Sequence, residues 1–145
     1  MAKPHILLLT HGGWGMSLVA GARMIMGTID CVTEIALLPE MTFAEYCAKV
    51  DAFSQDMPEG SLILTDVFGG TTSNVAAKIG RERGFTVLSG LNLPLLIEAC
   101  SAIMNSGEYD LDTVLFAGKT AVKDVVEEIM ISLKKKADAA KGVEN

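Results

Sequence analysis

The stretch His5-Ile6-Leu7-Leu8-Leu9-Thr10-His11-Gly12-Gly13 places a histidine where an apolar run stops and two glycines turn the chain. In open α/β sheets, ligands and chemistry gather at the carboxyl ends of the strands. A helical pattern starts soon after His11, and helix N-termini favour anions. A neutral imidazole is a nucleophile, and its ordinary pKa of about 6.5 leaves much of it neutral near pH 7. Together these parts point to a histidine that holds or transfers a phosphoryl group.

Such a histidine needs a carboxylate to fix its tautomer. A carboxylate that accepts from one ring nitrogen leaves the other as the nucleophile, the orienting logic of the hydrolase triad without its serine. Asp66 ends the third apolar run and is the carboxylate at a strand end suited to this task. It is followed by Val67-Phe68-Gly69-Gly70-Thr71-Thr72-Ser73-Asn74. The backbone around Gly69, Gly70 and Ser73, with the hydroxyls of Thr71, Thr72 and Ser73, is suited to cradle phosphate oxygens. Gly12 is a further candidate on the His11 turn. His5, at the start of the first run, falls on the opposite edge and reads as structural. Trp14 reads either as a contact residue or as a packed aromatic.

The elements that position these residues follow from pattern. Ile6 to Leu9 is strand one, whose continuous apolar character suits burial on both faces. Met16 to Met26 has helical spacing and ends at Gly27. Val32 to Leu38 is strand two. Thr42 with Glu45 forms a capping box that opens a helix running to about Gln55. Ser61 to Thr65 is strand three, and a helix runs from about Ser73 to Arg83. Phe85 to Ser89 is strand four. Leu93 to Asn105 is a helix with Pro94 in its first turn, and Asp110 opens another. Pattern leaves Gly118 to Val126 undecided, and the polar tail from Lys134 reads as a frayed helix end. Alternation of this kind predicts an α/β fold: a doubly wound, mainly parallel sheet with helices on both faces.

The chain has 145 residues, half of them hydrophobic, enough for one domain with a full core. We divide it into a domain over 1–131 and a polar C-terminal tail over 132–145. A net charge of −6 and no basic stripe argue against nucleic-acid binding. Cys31, Cys47 and Cys100 are widely spaced and, with two histidines, make no zinc set. We expect no metal and no cofactor. No apolar run reaches spanning length, so a soluble, cytoplasmic protein is expected.

At these residues the chain resembles the IIA subunits of the mannose family of the bacterial sugar phosphotransferase system. Leu9-Thr10-His11-Gly12 resembles the family's active-site segment. Leu64-Thr65-Asp66-Val67-Phe68-Gly69-Gly70-Thr71 is similar to its aspartate–diglycine–hydroxyl signature. Ser89-Gly90-Leu91-Asn92-Leu93-Pro94-Leu95-Leu96 is similar to its segment after strand four. The resemblance covers about the first 125 positions. It implies that His11 is phosphorylated by the phosphocarrier protein HPr and passes the group to a IIB partner. That partner serves sugar uptake through membrane IIC and IID subunits. Asp66 would pair with the histidine. The resemblance also implies a homodimer that exchanges an antiparallel edge strand, here Lys119 to Val125. Two departures stand out: the family usually has proline and an aromatic where this chain has Thr72 and Ser73, and no IIB domain follows, so a separate IIA subunit is expected.

Rival readings are weaker at named residues. The phosphoryl-donor subunit of a dihydroxyacetone kinase is similar at the histidine but usually lacks the diglycine present here as Gly69-Gly70. A receiver-type signalling module phosphorylated on Asp66 needs acidic residues after strand one to hold magnesium. Thr10-His11-Gly12 stands there instead. A dinucleotide-binding module needs a spaced glycine fingerprint, which Trp14 and Met16 interrupt.

Overall fold

The computed structural model describes residues 2–142. The elements run β1 (Ile6–His11), α1 (Gly15–Met26), β2 (Val32–Leu37), α2 (Phe43–Ser54), β3 (Leu62–Thr65), α3 (Thr71–Arg83), β4 (Thr86–Leu88), α4 (Leu93–Ser106), α5 (Leu111–Lys119) and α6 (Val125–Ala140). The strands form one parallel sheet in the order β2-β1-β3-β4. The doubly wound α/β expectation is borne out.

The apolar run of β1 is explained by its central place. Ile6 to Thr10 are wholly buried between two neighbouring strands and two helical layers. Alternate residues face opposite sides, as the period of a strand requires. Ile6, Leu8, Leu62 and Leu64 pack with Val19 and Ala22 of α1 and Leu96, Ala99 and Ile103 of α4. Leu7, Leu9 and Ile63 pack with Tyr46 and Val50 of α2 and Val75, Ala76 and Ile79 of α3. Helices therefore cover both faces, and the polar strand ends emerge along one edge.

The Thr42–Glu45 capping box forms as read. The Glu45 amide donates to the Thr42 hydroxyl at 3.1 Å, and the Thr42 amide donates to the Glu45 carboxylate at 3.0 Å. Thr42→Ala should cost about 1 kcal/mol of stability, read as a lowered urea midpoint at unchanged m-value. An unchanged midpoint would mean that water replaces the cap without loss.

Two differences from the sequence reading bear on the site and on assembly. Helix α3 starts at Thr71 rather than Ser73, with Gly70 as its N-cap. Threonine and serine favour caps and loops on propensity, but here Gly69, at φ +93°, makes the turn and frees them for the helix. The second difference concerns Lys119 to Val125. Lys119 closes α5, Val125 opens α6, and residues 120–124 join no strand of this chain. Among the described residues the sheet of the single chain is wholly parallel, without the expected antiparallel edge strand. A strand exists only with a ladder partner, and within one chain this segment has none. The Asp124 carboxylate instead caps α6 by accepting from the Glu127 amide at 3.0 Å. Helix α6 then continues without a break past the 131/132 division to Ala140, and none of its residues is buried.

Candidate functional site

The parallel register puts the ends of β1 and β3 side by side. The Asp66 amide donates to the Leu9 carbonyl at 3.2 Å, which fixes Asp66 beside His11. One carboxylate oxygen, Oδ2, accepts from His11 Nδ1 at 2.8 Å and from the His11 amide at 2.6 Å. The other, Oδ1, accepts from the Val67 amide at 2.9 Å and from the Thr72 hydroxyl at 2.8 Å. Asp66 thus receives four hydrogen bonds, while its side chain is 8% exposed. Burial works to raise its pKa, but the backbone and ring of His11 and the Thr72 hydroxyl outweigh it. The carboxyl is held below its ordinary value, so it is ionised at neutral pH.

An ionised carboxylate can only accept, so the contact assigns the ring proton to Nδ1 and leaves a lone pair on Nε2. The His11 side chain is 49% exposed, enough for a macromolecular partner to reach it. A Cβ added at Gly70 would lie 3.4 Å from His11 Cε1 and 3.7 Å from Nε2. The nucleophilic edge of the ring therefore lies against the start of α3.

That helix end is open. No side chain caps α3, whereas Thr42, Asn92, Asp110 and Asp124 cap α2, α4, α5 and α6. Helix α1 takes a carboxylate from Glu34 on β2, through the Gly15 amide at 2.6 Å and the Met16 amide at 3.1 Å. Among the described helices, α3 alone keeps an uncapped N-terminus, and it is the one that faces His11. Amides and a positive helix end together suit an oxyanion.

The expected site residues divide by what their donors do. Gly70, Thr71 and Ser73 stand at the open turn, and Thr71 shares a groove with His11. Gly69 supplies the turn rather than a side chain. Thr72 is wholly buried, and its hydroxyl is spent on Asp66. The Gly12 amide donates to the Leu37 carbonyl at 2.9 Å, so it extends the sheet. His5 donates or accepts at Thr33 Oγ1, 2.8 Å away, and tilts against Phe53, far along β1 from His11. Its structural reading agrees with that place.

Sequence reasoning missed the apolar rim. A groove of about 270 Å³ beside His11 is lined by Leu37, Leu38, Pro39, Met41 and Phe43. Trp14, Val67 and Phe68 are also exposed around the strand ends, Phe68 by 84%. Its signal was present: Val67-Phe68 is an apolar pair inside a polar, glycine-rich loop.

Fold and site together define an α/β module built on a strand-end histidine oriented by a carboxylate. The chain belongs to the PTS system fructose IIA component family, whose model matches residues 5–115. The resemblance read from the motifs is borne out. The chain is similar to the "PTS system mannose-specific EIIAB component" of Escherichia coli K12, with 29% identity over 110 residues. That match covers 72% of this chain and 33% of the relative, so the chain spans about a third of that protein. It is also similar to the "PTS system sorbose-specific EIIA component" of Lacticaseibacillus casei, at 25% identity, covering 92% of this chain and 98% of that one. Among solved structures, the phosphotransferase system component EIIA of Streptococcus agalactiae matches with a TM-score of 0.76 and 26% identity. That match covers 85% of this chain and 98% of the other. The mannose/sorbose-specific IIA subunit of Enterococcus faecalis matches with a TM-score of 0.72 and 27% identity, over 84% and 94% of the two chains. No described helix is long and apolar enough to cross a membrane.

Proposed function

We propose that this chain is a phosphoryl-transfer subunit of a sugar phosphotransferase system, with His11 as the carrier. The observation that carries the reading is the 2.8 Å contact between His11 Nδ1 and Asp66 Oδ2, with Nε2 turned to the uncapped start of α3. Nε2 attacks the phosphorus of an incoming phosphoryl group. The Nε2–phosphorus bond forms as the bond to the donor breaks. The ring becomes cationic, and the Asp66 carboxylate stabilises that charge through Nδ1–H. The phosphoryl oxygens settle on the amides of the first turn of α3 and on the Thr71 and Ser73 hydroxyls. Onward transfer reverses these steps with a new acceptor. The donor is HPr and the acceptor a IIB subunit, which serves IIC and IID in the membrane while this chain works in the cytoplasm. The apolar rim of Leu38, Phe43, Val67 and Phe68 suits docking of proteins rather than of a sugar. Phosphorylation of Asp66 itself is disfavoured, because four donors already occupy its two oxygens. Incubation with HPr, the phosphoenolpyruvate-dependent phosphotransferase that loads HPr, and phosphoenolpyruvate tests the reading. One acid-labile phosphate per chain supports it, and an acid-stable phosphate or none defeats it.

The chain acts as a homodimer on this reading. Val122, Val125, Val126, Ile129, Met130 and Leu133 are all exposed on and before α6, a stripe the chain's own body leaves uncovered. Short β4 also ends the sheet with an open edge. Exchange of residues 119–125 with a second copy would cover the sheet edge, and packing of α6 against that copy would cover the stripe. Light scattering of the full chain at micromolar concentration should give twice the chain mass, and Val126→Glu with Ile129→Glu should give monomers. A monomeric full chain overturns the dimer and leaves the His11 chemistry in place.

A further inference from the structure

The geometry points to Glu34 as a second positioning carboxylate, which holds the His11 strand end from β2 as Asp66 does from β3. The inference rests on the proposed phosphoryl transfer at His11. Strand β1 lies between β2 and β3, and Glu34 stands opposite Leu8 in the register. Glu34 Oε2 accepts from the Thr10 hydroxyl and from the Gly15 amide, and Oε1 accepts from the Met16 amide. Thr10 is wholly buried and adjoins His11, so one carboxylate ties the residue before the nucleophile to the helix after it.

Helix α1 is built to receive that carboxylate. Its N-cap, Trp14, has helical backbone and offers no side-chain cap, and no acidic residue stands in the first turn. Gly15 is part of the same device. A Cβ there would lie 2.9 Å from Glu34 Cδ and 3.1 Å from Leu8 Cδ1, so a side chain would displace the carboxylate. Gly15 is not among the left-handed glycines, so its lack of a side chain serves space rather than backbone freedom.

The arrangement also sorts charge. A helix N-terminus carries about half a unit of positive charge. Glu34 occupies that of α1, while α3 keeps its own for an anion on Nε2. Removing Glu34 loosens the turn 10–16 and exposes a second positive end to compete for the phosphoryl group.

Single-turnover phosphorylation of the full chain by phosphorylated HPr tests this, with Glu34→Ala, Glu34→Gln and Gly15→Ala beside wild type, each checked for folding by circular dichroism. Glu34→Ala and Gly15→Ala should each lower the maximal transfer rate about tenfold or more. The half-saturating HPr concentration should stay within about twofold, because Glu34 is not on the rim. Glu34→Gln, which keeps the shape but loses the charge and one acceptor, should fall between. In ¹⁵N spectra of labelled histidine, the Nδ1–H tautomer of His11 should be less populated in both alanine variants. Wild-type maximal rates in folded variants overturn the inference, as does a loss confined to half-saturation. If wild type accepts no phosphate, the functional reading fails. The histidine spectra then still judge Glu34, and unchanged tautomer populations reject it.

Discussion

His11→Ala is expected to abolish phosphate uptake from phosphorylated HPr, to the background of the assay. Transfer needs a lone pair at the start of α3, and Nε2 of His11 is the nitrogen placed there. The only other histidine, His5, is bound to Thr33 at the opposite end of β1 and cannot replace it. The His11 side chain is half exposed, so its truncation should leave the unfolding midpoint close to wild type. The control is His5→Ala, which should be phosphorylated at the wild-type rate once folding is verified. Retained phosphate in His11→Ala, or its loss in folded His5→Ala, would transfer the chemistry to another residue.

Asp66→Asn should slow transfer by about 100-fold or more, the scale on which a mis-set tautomer acts in comparable histidine–carboxylate pairs. An amide presents one oxygen where the carboxylate presents two, against four donors. It also cannot stabilise a cationic phosphorylated ring. The loss should fall on the maximal rate more than on half-saturation with HPr, because Asp66 is buried beneath His11. The same residue predicts an acid effect on stability. Its folded pKa lies below the ordinary 3.8, so the unfolded chain binds the proton more readily. The stabilisation is complete above the ordinary value and is lost as pH falls through the lower, folded one. Urea midpoints measured from pH 5 downwards should therefore fall more steeply for wild type than for Asp66→Asn. Parallel falls, with unchanged transfer rates, would reduce Asp66 to a loop cap.

Much of this was open to a reader of residues alone. Four stretches of strand character, each closed by glycine or proline and followed by helical spacing, specify a parallel sheet. The unbroken apolar run Ile6 to Leu9 marks its central strand, because burial on both faces leaves that strand no polar side. The same rule places His11 and Asp66 on one edge, since parallel strands all end there. Local capping chemistry is equally explicit, as Thr42 and Glu45 show. What local sequence does not carry is how donors are shared across strands. Thr72 and Gly12 look like phosphate ligands in isolation, yet one serves Asp66 and the other serves Leu37. Glu34 looks like one charge in a strand, and only the packing of β2 against β1 and α1 brings it to Thr10 and Gly15. Residues 119–125 show the same limit from the other side. Their pattern is compatible with a strand or a helix start, and a strand forms only when another chain supplies its ladder. Short-range pattern thus determined the elements and placed His11 and Asp66 at strand ends, because propensity and burial are set by neighbours in the chain. Tertiary structure decided which donor meets which acceptor: Gly15 and Glu34 lie 19 residues apart, His11 and Asp66 lie 55 apart, and both pairs meet only when the sheet forms.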